Sequence, residues 1–294
     1  MKRILVPLDG SPLAESILPV AEEWAKEEGA EVVLLRAVLA HHVPGRDDTE
    51  GQVRVVEEGE AYLKEMAERL ERRGLPRVRW VVWYNEPATA ITEAVVRYEA
   101  DLIAMATHGR SGLSRLLLGS VAEAVVRSAR VPVLLIRGQS AWKPWTTGKI
   151  LVPLDGSQTS EAILPVVERL AGPRDLTISL LEIIEPIPSV VRAEPPIGLE
   201  DMPTFRRGDA ERYLAKVAAP LNDKGLRVER SVQHGRAAEV IVASGLPERV
   251  DLIAMATHGR SGLGRLFFGS VAEGVLRSAA VPVLLFKVAE RIDQ

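Results

Sequence analysis

The stretch DLIAMATHGRSGL occurs twice, at Asp101 to Leu113 and again, unchanged, at Asp251 to Leu263. The residues in and after it suit an anion. Gly109 and Gly119 allow backbone conformations closed to other residues and let a bulky group approach the main chain. Ser120 opens the next helical segment, where its hydroxyl and the unpaired N–H groups of the first turn would face a ligand and the helix dipole favours phosphate. Arg110 and Arg115 add positive charge. Near the chain start, ILVPLDGS carries Asp9, which could accept a hydrogen bond from a base amine or a ribose hydroxyl. Pro7, Ala37 and Met105 offer an apolar slot for a flat ring, and the set as a whole has the composition of a nucleotide site.

Each of these residues also has a plainer use. Ser120-Val121-Ala122-Glu123 and Ser270-Val271-Ala272-Glu273 match the S-x-x-E capping box, which would account for serine and glutamate without a ligand. The glycines and Asp9-Gly10-Ser11 suit turns. His108 and His258 have no Ser and Asp at triad spacing, and one loop histidine per copy is no metal set. They are assigned to loop packing, and no catalytic or metal-ligating residue is assigned. What favours a site is that the whole group is kept in both copies.

Such a group needs a scaffold, and the chain repeats one. KRILVPLDGS at Lys2 to Ser11 matches GKILVPLDGS at Gly148 to Ser157, setting Asp9 against Asp155, whereas Thr107 matches Thr257. The second copy has therefore gained a net four residues, placed after its second strand in PIPSVVRAEPPIGLEDMP. RGQSAWKPWTTG between the copies reads as a linker with Trp142 and Trp145 resting on a domain surface. The expected domains are 1–138 and 148–294, with the linker at 139–147.

Within copy one, KRILVPL, EVVLLRAVL, RVRWVVWY, DLIAMAT and VPVLLIR are continuous apolar runs, as in a parallel sheet covered on both faces. AESILPVAEEWAKEEG, EGEAYLKEMAERLERRG, PATAITEAVVRYE and VAEAVVRSA have helical period, the first two ending in a glycine suited to a C-cap. The order βαβαβαβαβ with right-handed crossovers gives an α/β fold of two tandem, doubly wound, five-stranded parallel-sheet domains. In such sheets ligands sit beyond the carboxyl ends of the strands where the order reverses. With strand order 3-2-1-4-5, the loops after strands one and four face one crevice.

Composition narrows the partners. The 294 residues carry 37 basic and 40 acidic side chains, a net charge of −3, so no basic field is available to hold nucleic acid. The absence of cysteine excludes disulfides and thiolate chemistry and fits a reducing cytoplasm. Asp9 interrupts the first apolar run before signal-peptide length, and no later run reaches the roughly 20 residues of a membrane span. A cytoplasmic protein with neither nucleic-acid nor membrane partners is expected.

ILVPLDGS followed by MATHGRSGLSRLLLGSVAEAVVRSARVPVLLI strongly resembles the universal stress protein family, here in tandem form, over nearly all of the chain. The resemblance implies the 3-2-1-4-5 order of the adenine-nucleotide alpha-hydrolase-like fold. One branch of the family binds ATP through G-x-x-G, nine residues, then G-[ST]. Gly109 with Gly119-Ser120, and Gly259 with Gly269-Ser270, fit its later part. The first glycine is replaced by Ala106 and Ala256, which is tolerable if that position ends a strand with negative φ. By resemblance, site one is lined by Pro7, Asp9, Ala37, Met105, Ala106, Gly109, Arg110, Gly119, Ser120 and Val121. Site two uses Pro153, Asp155, Ile183, Met255, Ala256, Gly259, Arg260, Gly269, Ser270 and Val271. ATP, with Mg2+ as its counter-ion, is the implied ligand of both. The sites differ, since Glu182 replaces Arg36, Ile183 replaces Ala37 and Phe267-Phe268 replace Leu117-Leu118.

No G-x-x-x-x-G-K-[ST] is present and no general base is evident, so slow hydrolysis at most is expected, in a regulatory stress-response role. The resemblance also implies an intramolecular pseudo-dimer of the two domains, with a homodimer as a further option. Two rival functions stand beside it. One is an interaction protein without nucleotide, using VPVLLI and VPVLLF as pairing edge strands. The other is a nucleotidyl-transferase-like enzyme, for which DGSPLAES lacks a convincing catalytic motif.

Overall fold

A computed structural model of the chain describes residues 1–39, 49–107, 118–137, 145–186, 202–258 and 269–288, with the side chains of 49, 173, 202–205 and 258 set aside. The chain forms two compact units, Met1–Pro144 and Trp145–Gln294. In the first, β1 (Arg3–Pro7), β2 (Glu31–Val38), β3 (Val78–Tyr84), β4 (Leu102–Ala106) and β5 (Val133–Ile136) alternate with helices α1 (Pro12–Glu15), α2 (Leu18–Glu28), α3 (Thr49–Arg72), α4 (Pro87–Arg97) and α5 (Ser120–Ser128). The sheet order is β3-β2-β1-β4-β5, all parallel, so direction reverses between β1 and β4.

The second unit repeats this plan. It contains β6 (Lys149–Leu154), α6 (Gln158–Glu161), α7 (Leu164–Arg174), β7 (Thr177–Ile184), α8 (Met202–Asp223), β8 (Arg227–His234), α9 (Ala237–Ser244), β9 (Leu252–His258), α10 (Ser270–Ser278) and β10 (Val283–Val288). Its order, β8-β7-β6-β9-β10, is again parallel and equivalent to 3-2-1-4-5.

The central strands are apolar throughout because both faces are covered. Ile4, Leu5 and Val6 and the run Val32 to Leu35 are fully buried, as are Ile150 and Val152 in unit two. Trp24 on α2 fills the layer above the first sheet, and Gly29 then closes α2 in a left-handed conformation with its N–H on the Ala25 carbonyl. The helix expected from Ala14 to Gly29 is two pieces. Pro19 supplies no N–H to continue a ladder from α1, so the chain turns at Ser16-Ile17 and starts α2 afresh. Conversely, α3 starts at Thr49, nine residues ahead of the expected Glu58, and Gly59 inside it lies where a Cβ would sit 3.1 Å from Val82 of β3. That glycine allows helix and strand to close up.

Of the expected linker, 139–144 lie outside the described residues, and Trp145 packs with unit two, where the Arg174 guanidinium lies 5.7 Å from its ring centre. Trp142 and the loop 187–201 also lie outside. No described helix is long and apolar enough to cross a membrane.

Candidate functional site

At the reversal point the paired strands lead to the lining residues. Ile4 and Leu5 pair with Leu102 and Ile103, just ahead of Pro7 and Met105, and Leu8 N–H donates to the Leu35 carbonyl, which brings Asp9 toward Ala37. In unit two, Ile150 and Leu151 pair with Leu252 and Ile253 ahead of Pro153 and Met255, and Leu154 pairs with Glu182, which brings Asp155 toward Ile183. Met105 and Met255 are buried, while Pro7, Asp9 and Ala37 are half-buried at the rim. Ala106 and Ala256 are strand residues paired with Ile136 and Phe286, and neither has positive φ. A methyl group is therefore accommodated at both.

Asp9 serves a turn: its Oδ1 accepts from Ser11 N–H at 2.9 Å, with Gly10 at φ +82° between them. Ser11 then caps α1, accepting from Ala14 N–H at 3.1 Å. Asp155 does the same with Ser157 N–H at 3.0 Å and adds the Ser157 hydroxyl at 2.6 Å. Burial pushes the Asp155 carboxyl up, but hydrogen bonds from Ser157 and Ser160 outweigh it and hold the group below its ordinary value. It is an anion at neutral pH.

The capping-box expectation is corrected at both later helices. Gly119 and Gly269, not the serines, occupy the N-cap, since Glu123 N–H reaches the Gly119 carbonyl at 2.9 Å and Glu273 N–H the Gly269 carbonyl at 3.1 Å, with no side-chain cap. Ser120 and Ser270 are one position too far along the helix for their hydroxyls to reach back to the turn. Gly119 N–H is taken by the Thr107 carbonyl at 2.8 Å, which closes the base of the loop. The N–H groups of Ser120, Val121 and Ala122, left without intrahelical acceptors, and the exposed Ser120 hydroxyl remain available. Gly269 has φ +77°, a conformation that favours glycine, whereas Gly119 at −61° does not require it. Gly109, Arg110, Arg115, Gly259, Arg260 and His108 lie outside the described residues.

A second layer went unread in the sequence. Glu15 Oε1 accepts from the Tyr62 hydroxyl at 3.1 Å and Oε2 from Arg69 at 3.0 Å, and the Arg36 guanidinium lies 4.9 Å from the Tyr62 ring centre. Unit two keeps the tyrosine and glutamate, with the Tyr213 hydroxyl on Glu161 at 3.0 Å, but has Glu182 for Arg36 and Pro220 for Arg69. Burial, then the glutamate, pushes both phenols well above their ordinary range. Retention of Glu15/Glu161 and Tyr62/Tyr213 in both copies was the available signal.

Glu182 is the electrostatic outlier. Its Oε2 is buried without a hydrogen-bond partner, and burial followed by the negative charge of Asp155 raises its carboxyl above the ordinary value. A raised folded-state pKa means that the stability it allows is full at acid pH and falls as pH rises through that value. Glu182→Gln should therefore stabilise unit two by about 1 kcal/mol at pH 8 and by progressively less as the native carboxyl protonates. Urea midpoints of the two proteins at pH 8 and pH 5 check this; an equal difference at both would contradict it.

The fold defines a tandem, doubly wound α/β protein whose two units carry equivalent residues at their reversal points. Residues 1–137 and 146–287 each match the universal stress protein family, and the chain belongs to that family. A universal stress protein of Methanocaldococcus jannaschii is 36% identical over 141 residues, covering 46% of this chain and 82% of that protein. One from Mycobacterium tuberculosis is 30% identical over 213 residues, covering 69% of this chain and 66% of the relative. Among solved structures, a universal stress protein from Archaeoglobus fulgidus has the same fold, with TM-score 0.74 at 20% identity over 97% of this chain and 98% of that chain.

Proposed function

We propose that each unit holds an adenine nucleotide, ATP accompanied by magnesium, in the crevice above its reversal point, and that the protein is a binding module of the stress response in the cytoplasm. The observation that carries this is the start of α5: glycine at the cap, a serine hydroxyl not consumed by capping, and three N–H groups without intrahelical acceptors, tied to the end of β4 through Gly119 N–H on the Thr107 carbonyl. The same glycine and serine begin α10. Such a helix start suits a phosphate, while Pro7, Ala37 and Met105 suit the ring of a base. Ser120, Val121 and Ala122 would hold the phosphates, and Asp9 the base or ribose.

The residues support holding better than turnover. No lysine of the Walker kind is present, and the Tyr62 and Tyr213 phenols are held in their protonated form. Binding to the folded form alone contributes stability by linkage, about 2.7 kcal/mol when ligand is a hundredfold above its Kd, which makes the protein responsive to nucleotide supply. Unit two binds less tightly, because Glu182 and Asp155 place uncompensated negative charge where unit one has Arg36.

Calorimetric titration with ATP, ADP and AMP tests the assignment. Affinity should fall as phosphates are removed, a weaker second site should be resolved, and Glu182→Arg should strengthen that second site. Absence of any binding by the folded protein would reject the nucleotide role in favour of pure protein interaction. Rapid release of ADP or AMP would reject the description as a binding module.

A further inference from the structure

Unit one carries on the β3 edge of its sheet a feature that the β8 edge of unit two lacks, independent of any nucleotide. β3 is an edge strand of its sheet. Val32 N–H donates to the Arg77 carbonyl at 3.0 Å. With the two-residue alternation of a parallel ladder, the main chain of Arg77, Arg79, Val81 and Trp83 faces β2, and that of Val78, Trp80, Val82 and Tyr84 faces outward. Val82 packs on Gly59, so Trp80, Val82 and Tyr84 share the α3 face. Trp80 and Tyr84 are 37% and 48% exposed.

The fold does not require these aromatic residues. At the equivalent positions of β8 the second unit has Arg230, Val232 and His234, and Ser231 and Gln233 replace Val81 and Trp83. Charged residues along an edge are the usual guard against strand addition. β8 has that guard on its outward positions, and β3 has aromatic residues there.

We propose that β3 docks against β3 of a second copy of this chain, antiparallel about a two-fold axis normal to the sheet. Such an axis keeps each side chain on its own face, so residues that meet must be an even number of positions apart. Centring it on Val82 meets that condition and brings the outward N–H and C=O groups of residues 80, 82 and 84 into register. It also sets Trp80 across from Tyr84 of the other copy, twice, in the aromatic pairing that stabilises antiparallel strands.

On the opposite face Arg79, whose Nε donates to Glu31 at 2.9 Å, comes across from Asn85 of the other copy, whose amide donates to Glu93 at 3.2 Å, so two polar pairs meet there. The same arrangement in unit two would set Arg230 against His234 and Glu229 against Gly235, with Ala243 where Glu93 stands. The complementarity belongs to β3 alone.

Sedimentation velocity of the full chain over a concentration series tests the proposal. Wild type should show a monomer–dimer equilibrium, and the double variant Trp80→Arg, Tyr84→His, which gives β3 the residues that β8 already tolerates, should weaken it at least tenfold. Val82→Pro removes an outward N–H at a position where an edge strand accepts proline, and should weaken it as well. Circular dichroism confirms that the variants fold. A wild type that stays monomeric up to ~100 µM, or a dimer unmoved by the folded variants, would overturn the proposal.

Discussion

Ser120→Asp is expected to weaken ATP binding at unit one by about a hundredfold while leaving unit one as stable as before, or a few tenths of a kcal/mol more so. The two effects have one cause. Ser120 is the first residue of α5, behind a glycine cap whose own N–H is spent on Thr107. A carboxylate there satisfies the helix dipole and stabilises the helix start. It would also set like charge against the phosphates of the proposed nucleotide and compete for the N–H groups of Val121 and Ala122. Opposite signs for stability and affinity separate this outcome from misfolding. Titration calorimetry and thermal melts of the same preparation read both, and unchanged affinity would move the phosphate away from this helix.

The second large effect lies at the other end of the sheet. Asp251, only 5% exposed, accepts from Thr147 N–H with both oxygens at 3.1 Å, from the Thr147 hydroxyl at 2.8 Å and from Lys149 N–H at 3.1 Å. It ties the start of β6 to the start of β9. Asp251→Ala strands three donors and should cost unit two about 3 kcal/mol. Asp101, half-buried, does the same work for β1 through Lys2 N–H at 2.6 Å and Arg3 N–H at 3.0 Å, and its replacement should cost less because water can reach the freed groups. Nucleotide affinity of the folded units should be unchanged by either. Urea unfolding together with ATP titration checks both halves of this expectation, and lost affinity at unchanged stability would contradict it.

These two aspartates explain part of the opening repeat. DLIAMATHGRSGL is retained in duplicate in part for a structural reason: its first residue anchors the sheet in both units. The type and succession of the elements were legible because central strands buried on both faces must be continuously apolar, while the 3-2-1-4-5 sheet order that sets the reversal point came from the family resemblance. The break at Pro19 was visible in the letters but was outweighed by the helical period around it. The capping box was misread because serine three residues before glutamate fits N-cap and N1 equally well until the preceding glycine is known to take the cap. Glu15 with Tyr62 needed tertiary structure, since nothing local brings α1 onto α3. By contrast, the exchange of Arg36 for Glu182 was plain in the sequence, and the buried, unpartnered oxygen gives it its physical meaning.

Native mass spectrometry of the full chain, as purified and then with excess ATP and magnesium, tests the central claim most directly by counting nucleotides per polypeptide. Two bound nucleotides are expected, the second filling at higher concentration and assigned to unit two by its loss in Ser270→Asp. A folded chain that takes up none at any ATP concentration would contradict the claim.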